Sequence, residues 1–113
     1  MDFALKDDLE ILRSLDFDDF LILSLILDGC QNSTISRFLY ITPPAVSHRI
    51  LKYERCFGKG FFHKVGAKKH LSESGREICL RYKKVLCMLL NVSDDFDSKC
   101  LITEKGVTSG DGN

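Results

Sequence analysis

Apolar residues recur along the first part of this 113-residue chain mainly at helical spacing. Residues 1–14 carry four large apolar side chains in helical register, which predicts a short amphipathic helix with an acidic outer face. Residues 17–27 are almost entirely apolar. Asp16 before them and Gly29 after them are residue types typical of the two ends of a helix. A helix that is apolar on all sides belongs at the centre of the core or beneath a second chain.

Two further helices with a tight turn between them are predicted next. Ser33 is a candidate N-cap for a short helix over 34–40. Thr42 is a candidate N-cap for the following helix, with Pro43 at its first position, where a missing N–H costs nothing. Gly58 ends that second helix, and steps of four, three and four place its apolar residues on one face: Val46, Ile50, Tyr53 and Phe57.

The remaining pattern predicts a β-hairpin and a long last helix. Two short apolar pieces, 61–63 and 69–71, flank a basic stretch that reads as a hairpin tip. Ser72 is a candidate N-cap for a helix that runs to about residue 91. The chain is therefore predicted to be mainly α-helical, with a two-stranded hairpin. Its predicted parts are an acidic helical extension (1–14), the hairpin-bearing domain (15–72), a long C-terminal helix (73–92) and a polar, partly disordered tail (93–113).

Charge is distributed unevenly along the chain although the formal net charge is zero. Residues 1–29 hold 2 basic and 8 acidic side chains, residues 30–91 hold 12 and 3, and residues 92–113 hold 2 and 5. The middle of the chain is thus a basic module between acidic ends. This asymmetry favours a polyanionic partner for the middle module, and the alternative is an unevenly charged solvated surface.

Enzymatic, metal and membrane functions find little support in the sequence. None of the five cysteines forms a C-x-x-C pair, and no secretory signal is recognisable, so a reducing cytoplasm is expected. The longest apolar run, residues 20–27, is too short to span a bilayer. The three histidines lack metal-ligand spacing with the cysteines. The acidic pairs, Asp18-Asp19 among them, are interpreted as helix caps and solvated faces. We therefore expect no enzyme activity, metal or cofactor.

The short helix, tight turn and capped helix together match the supersecondary unit that places its second helix in the DNA major groove. Side chains outside the apolar stripe of that second helix would face the DNA, and the basic hairpin, His70 included, would lie beside the neighbouring backbone. The alternative is that these are ordinary surface residues. The candidate DNA contacts are Ser33, Thr42, Pro44, Ser47, His48, Arg49, Lys52, Lys64, Lys68 and Lys69.

The last helix carries an apolar seam with alternating steps of four and three, as in helices that pair with a second helix. This seam favours a homodimer, and the alternative is packing against the apolar helix at 17–27 in the same chain. The candidate dimerisation residues are Ile78, Tyr82, Val85, Leu86, Leu89 and Val92.

Residues 15–90 resemble the N-terminal domain of LysR-type transcriptional regulators. The resemblance rests on Ser33-Thr34-Ile35-Ser36, on residues 39–47, on Phe57-Gly58 with Phe61-Phe62, and on residues 71–75. The winged domain of the molybdate-responsive regulators is a weaker likeness. The resemblance implies a winged helix-turn-helix, a bacterial regulator that binds promoter DNA as a homodimer, and a last helix that links two subunits.

The chain also departs from that family. Pro43 stands where the family usually has a glutamine that contacts DNA, residues 1–14 are additional, and the family's effector-binding domain has no counterpart here, whether the chain is a stand-alone module or a fragment. These departures motivate an alternative function. The chain would then be a protein-binding regulator that pairs with a longer LysR-like protein, another transcription factor or RNA polymerase without reading DNA itself.

Overall fold

The computed structural model describes residues 2–102, with side chains from Asp7 onward. Within these residues the chain is mainly helical, and it contains one two-stranded antiparallel hairpin, which confirms the mainly α class. Residues 99–102 are also helical. A 3₁₀ turn at Lys59–Phe61 leads into the hairpin. The elements in chain order are α1 (Asp2–Ser14), α2 (Phe17–Leu27), α3 (Asn32–Leu39), α4 (Pro43–Phe57), β1 (Phe62–Val65), β2 (Lys68–Leu71) and α5 (Glu73–Leu90).

Helix α2 lies at the centre of the core, as its apolar sequence predicted, and α5 packs along it. Ile22, Leu23 and Leu25 of α2 are fully buried, and so are Cys79 and Leu86 of α5. Burial of a side chain the size of leucine stabilises a fold by about 1.5–3 kcal/mol. The contact between α2 and α5 is therefore a main source of stability, and it lies within one chain.

Three predicted helix caps are confirmed. Asp16 accepts a hydrogen bond from the backbone N–H of Asp19 at 2.9 Å, and the Asp19 carboxylate accepts one in return from the backbone N–H of Asp16 at 3.0 Å. The hydroxyl of Thr42 accepts from the N–H three residues on at 3.2 Å, and that of Ser72 does the same at 3.0 Å. These bonds satisfy N–H groups that have no partner inside their helices.

The predicted cap of α3 is wrong. The helix begins at Asn32, and its N-cap is Gln31, which has extended backbone and makes no side-chain bond to the helix. Ser33 lies inside the first turn and is exposed. Gln31 is not among the residue types favoured at an N-cap, so residue preference pointed away from the observed start of the helix.

The turn between α3 and α4 is fixed by two reciprocal bonds. The backbone N–H of Ile41 donates to the Ser36 carbonyl at 3.1 Å, and the Ser36 hydroxyl donates to the Ile41 carbonyl at 2.6 Å. Tyr40 adopts a left-handed conformation with φ of 57°, which ends α3. Ile35 and Val46 are fully buried, one on each side of the turn. The two helices are thereby held in a defined relation, with one face of α4 left in solvent.

The hairpin follows α4 directly. Its strands pair from Phe62 opposite Leu71 to Val65 opposite Lys68, and Gly66 supplies the positive φ of 66° at the turn. Both predicted strands are confirmed, and most of their side chains are exposed. The hairpin therefore projects from the core as a solvated ribbon.

The start of α5 lies against the backbone of the 3₁₀ turn. A Cβ atom at Gly75 would lie 2.2 Å from the carbonyl oxygen of Phe61, so only glycine permits this approach. The Phe61 ring is itself buried, and its carbonyl accepts a bond from the Ser72 backbone N–H at 3.1 Å. This contact fixes where the hairpin leaves the core.

Residues 92–102 fold back onto the end of α2, whereas the sequence assigned residues 93–113 to a polar tail. The Asp28 carboxylate accepts bonds from the backbone N–H of Ser98 at 2.8 Å and from the Ser98 hydroxyl at 2.5 Å. Its other oxygen lies 2.9 Å from Nζ of Lys83, a lysine only 7% exposed. Burial alone would raise the pKa of Asp28, but the bonds from Ser98 and Lys83 outweigh it and lower that pKa. Residues 103–113 of the predicted tail lie outside the described residues.

Candidate nucleic-acid interface

A groove of about 1070 Å³ lies between the start of α3, the exposed face of α4 and the hairpin. Five predicted DNA contacts from three separate stretches of chain line it, namely Ser33, Ser47, Lys64, Lys68 and Lys69. We call this surface the basic groove. Its polar and charged lining residues are Gln31, Asn32, Ser33, Ser47, Lys64, Lys68, Lys69, His70 and Arg76.

Lysine and arginine side chains line the basic groove, and no carboxylate of the described residues does. Lys64, Lys68 and Arg76 form no ion pair with any residue that the structure describes. Lys69 differs, because its Nζ lies 3.1 Å from Oε2 of Glu54 on α4. Three unpaired cations thus face one concave surface, and the sequence did not predict Arg76, although its position in the first turn after the hairpin was a usable signal.

The floor of the basic groove is partly apolar. Ile50 and Leu51 of α4 line it together with Phe62 and Leu71 of the hairpin. Leu51 is 47% exposed and lies one helical turn after Ser47, on the same side of α4. This face of α4 therefore presents the Ser47 hydroxyl and the aliphatic side chains of Ile50 and Leu51 to any molecule bound in the groove.

Three other predicted DNA contacts are exposed but do not line the basic groove. Pro44 and His48 lie on the N-terminal half of α4 and face solvent. Thr42 is also exposed, and its hydroxyl already accepts the capping bond at the start of α4. The structure does not bring these residues together with the groove lysines.

Arg49 and Lys52 bind carboxylates inside the fold, although the sequence predicted both as DNA contacts. Nη1 of Arg49 lies 2.9 Å from Oδ1 of Asp19 and 2.8 Å from Oδ1 of Asp16. Nζ of Lys52 lies 2.6 Å from Oδ2 of Asp19, and the Tyr53 hydroxyl donates to Oδ1 of Asp19 at 2.6 Å. Because these cations are matched within the chain, we do not retain them as DNA contacts.

The Asp19 cluster is formed by these five residues, with Asp19 itself fully buried. Burial alone would raise the pKa of Asp19, but hydrogen bonds from Lys52 and Tyr53 outweigh it and lower that pKa. Burial and the bond to Asp19 raise the pKa of Tyr53, and the bond to Asp16 raises the pKa of Arg49. The interpretation of Asp19 as part of a solvated acidic pair is wrong. One signal was present, because Arg49 lies beside the apolar stripe of α4, where a cation needs a partner.

The predicted dimerisation seam divides into two parts. Leu86 is 1% exposed in the core of its own chain, so it does not face a second copy. Ile78 and Tyr82 are half-buried against the same core. Val85 and Leu89 remain exposed, at 42% and 65%, and so does Val92 just beyond the helix. Packing within one chain, the alternative considered for this seam, therefore accounts for Ile78, Tyr82 and Leu86 but not for the exposed residues.

A second groove, of about 610 Å³, lies between α1 and α5. We call it the α1–α5 groove. Ile11 and Leu12 of α1 line it, as does Val85 of α5, and its charged lining residues carry both signs, with Asp8 and Arg81 among them. The additional segment 1–14 thus lies beside the seam of the last helix.

Comparisons with protein-family models, with curated proteins and with solved structures found no match to this chain. None of the helices in the described part of the chain combines the length and the apolar character needed to cross a membrane.

Proposed function

We propose that this chain is a transcriptional regulator that binds double-stranded DNA as a homodimer. In this proposal α3 and α4 form a helix-turn-helix, the β1–β2 hairpin is the wing of a winged helix, and α5 contributes to dimerisation. The observation that carries the proposal is the basic groove, where residues of α3, α4 and the hairpin meet and all the charged side chains are cationic.

The shape of the groove suits one strand of a duplex. If α4 enters the major groove and the hairpin reaches the adjacent minor groove, the sugar-phosphate strand between them passes through the basic groove. Lys64, Lys68 and Arg76 then neutralise phosphates, which gives affinity without sequence preference. Ser47 and Leu51 face base edges, where a hydroxyl bonds polar atoms and an aliphatic group contacts thymine methyls.

Salt dependence of DNA binding tests the electrostatic half of the proposal. Three unpaired cations in each copy give about six phosphate contacts per dimer, and hence a slope of log K against log salt of about −5. Replacing both Lys64 and Lys68 with alanine removes about four of these contacts, so the slope should fall to about −2. Both lysines are exposed, so stability should not change. Lys59→Ala is the matched control, because Lys59 is equally an exposed lysine but does not line the groove.

Selection from a random duplex pool tests the sequence-reading half. We expect an enriched motif, and we expect Ser47→Ala and Leu51→Ala to change that motif more than they change non-specific affinity. A pool with no enriched motif, together with a flat salt response, would contradict the proposed function.

A second candidate is a protein-binding regulator. The Asp19 cluster favours it, because Arg49 and Lys52 are no longer available to DNA. Under this candidate the Lys64→Ala/Lys68→Ala variant keeps its regulatory effect in cells. Under the DNA-binding proposal that variant loses its effect while its fold stays intact.

A further inference from the structure

Exposed apolar side chains are concentrated on two helices of this molecule. Seven of the twelve large apolar side chains that are exposed in the described part of the chain belong to α1 and α5. Scattered single exposed side chains need no explanation, but a contiguous apolar surface marks a contact with a partner. The question is therefore what covers this surface.

The exposed side chains of the two helices form one continuous surface. Val85, Met88 and Leu89 of α5 are spaced three and four residues apart, so they lie on one side of the helix. Leu9 and Leu12 of α1 are likewise one turn apart, and Leu12 and Val85 both line the α1–α5 groove. We call these five residues the α1–α5 face.

Charges around this face are complementary between α1 and α5. The described part of α1 exposes Asp7, Asp8, Glu10 and Arg13 and is net acidic, while the middle of α5 exposes Arg81 and Lys84. A two-fold contact uses the same surface on both copies. The arrangement that pairs opposite charges places acidic α1 of each copy against basic α5 of the other. Like charges would not be opposed, and the contact would form twice.

Helix α1 is also held loosely in its own chain. Among its described side chains, polar contacts to another helix occur only at its last residue, Ser14. There the Ser14 carbonyl accepts from Nζ of Lys52 at 3.2 Å, and its hydroxyl lies 3.6 Å from Sγ of Cys56. The rest of α1 rests on apolar contacts that a second copy could extend.

We infer that a second copy of this chain docks on the α1–α5 face, and that α1 supplies part of the contact. This inference deepens the homodimer of the proposed function. It goes beyond a seam on the last helix alone, since Leu9 and Leu12 would be buried together with Val85 and Leu89. It also gives residues 1–14 a role that the DNA-binding elements do not supply.

Oligomeric state without DNA is the first test. Sedimentation of the wild-type chain between about 1 and 100 µM should show a species of twice the 12.8 kDa chain mass. Leu89→Asp should weaken the dimer at least about tenfold, because a carboxylate would enter an apolar contact. Val65→Asp is the matched control, since Val65 is similarly exposed, at 60%, but lies on the hairpin and not on α1 or α5. A monomer throughout the range, or equal loss in both variants, would overturn the inference.

Two charge-reversal variants, mixed with each other, test whether α1 takes part in the dimer contact. Asp8→Arg and Arg81→Asp should each weaken the homodimer, because each places like charges opposite one another. In an equal mixture the two variants should form a heterodimer in preference to either homodimer, measured by native mass spectrometry. A statistical mixture, or homodimers as strong as the wild type, would remove α1 from the interface. A chain that dimerises but does not bind DNA refutes DNA binding and leaves this inference standing. A chain that binds DNA as a monomer refutes this inference and the homodimer of the proposed function, but leaves DNA binding standing.

Discussion

Replacement of Asp19 by asparagine probes the buried charge cluster that joins α2 to α4. The carboxylate of Asp19 is fully buried and pairs with Arg49 and Lys52, while its Oδ1 accepts from the Tyr53 hydroxyl. Asparagine has nearly the same shape but no charge. It leaves Lys52 without a carboxylate partner and Arg49 with Asp16 alone, and its amide group cannot accept all of the same bonds.

The expected loss of stability follows from these contacts. A hydrogen bond to a charged group contributes about 1.5–3 kcal/mol, and removal of one partner from a buried ion pair costs about 3–5 kcal/mol. Arg49 and Lys52 each keep 24% of their side-chain exposure, so water recovers part of that cost. We therefore expect Asp19→Asn to lower the free energy of unfolding by about 2–4 kcal/mol. For a domain of this size, Tm should fall by about 10–25 °C.

The effect should depend on pH in one direction. The pKa of Asp19 in the folded chain lies below its ordinary value, which is about 3.9 in an unfolded chain. Its contribution to stability is therefore fully present above about pH 4 and is lost as pH falls through the folded-state pKa. The wild type and Asp19→Asn should consequently converge in stability as pH falls below about 4.

Urea unfolding followed by circular dichroism measures both quantities. Asp18→Asn is the matched control, because Asp18 also lies in the first turn of α2 but makes no bond to Arg49 or Lys52. That control should cost no more than about 1 kcal/mol, through the helix dipole alone. A loss below about 1 kcal/mol for Asp19→Asn at pH 7, or a gap that stays constant with pH, would refute this account of the cluster.

Two further predictions concern the packing of α5. Gly75→Ala should destabilise the fold by about 1–3 kcal/mol, measured by thermal unfolding, because the added Cβ would lie 2.2 Å from the Phe61 carbonyl oxygen; an unchanged Tm would show that the two segments separate without cost. Lys83→Met should leave the Asp28 carboxylate without its cation. It should therefore lower stability by about 1–3 kcal/mol and speed hydrogen exchange at the Ser98 amide, which donates to Asp28. Wild-type exchange at Ser98 would contradict this coupling.

Local sequence patterns predicted most of the elements of the fold. Capping at Asp16, Thr42 and Ser72 depends on residues three positions apart, and the structure contains all three caps. The alternative packing of the last helix against 17–27 also follows from local apolar spacing, and Leu86 is buried in that way. Ser33 failed as a cap because α3 begins without a side-chain cap, at Gln31, a residue type that cap preference does not favour.

Long-range pairing was not accessible in the same way. Lys52 and Asp19 are 33 positions apart, and Lys83 and Asp28 are 55 apart. Helix periodicity says which residues share a face of one helix, but not which charge on another helix meets them. Consequently Arg49 and Lys52 were predicted as DNA contacts, and the folding of residues 93–102 onto Asp28 was not predicted. The gathering of Ser33, Ser47 and the hairpin lysines around one groove could be expected, because a known supersecondary arrangement specifies it.

The internal ion pairs explain how a chain of zero net charge can present a positive groove. Residues 30–91 hold 12 cations. Four of them, namely Arg49, Lys52, Lys69 and Lys83, are paired within the fold, and three of these four bind aspartates of the acidic first 29 residues. The acidic segment therefore neutralises cations at the helix contacts and leaves Lys64, Lys68 and Arg76 of the basic groove unpaired. It follows that the number of phosphate contacts should depend on the few unpaired cations of the groove, and the salt slope of DNA binding counts them directly.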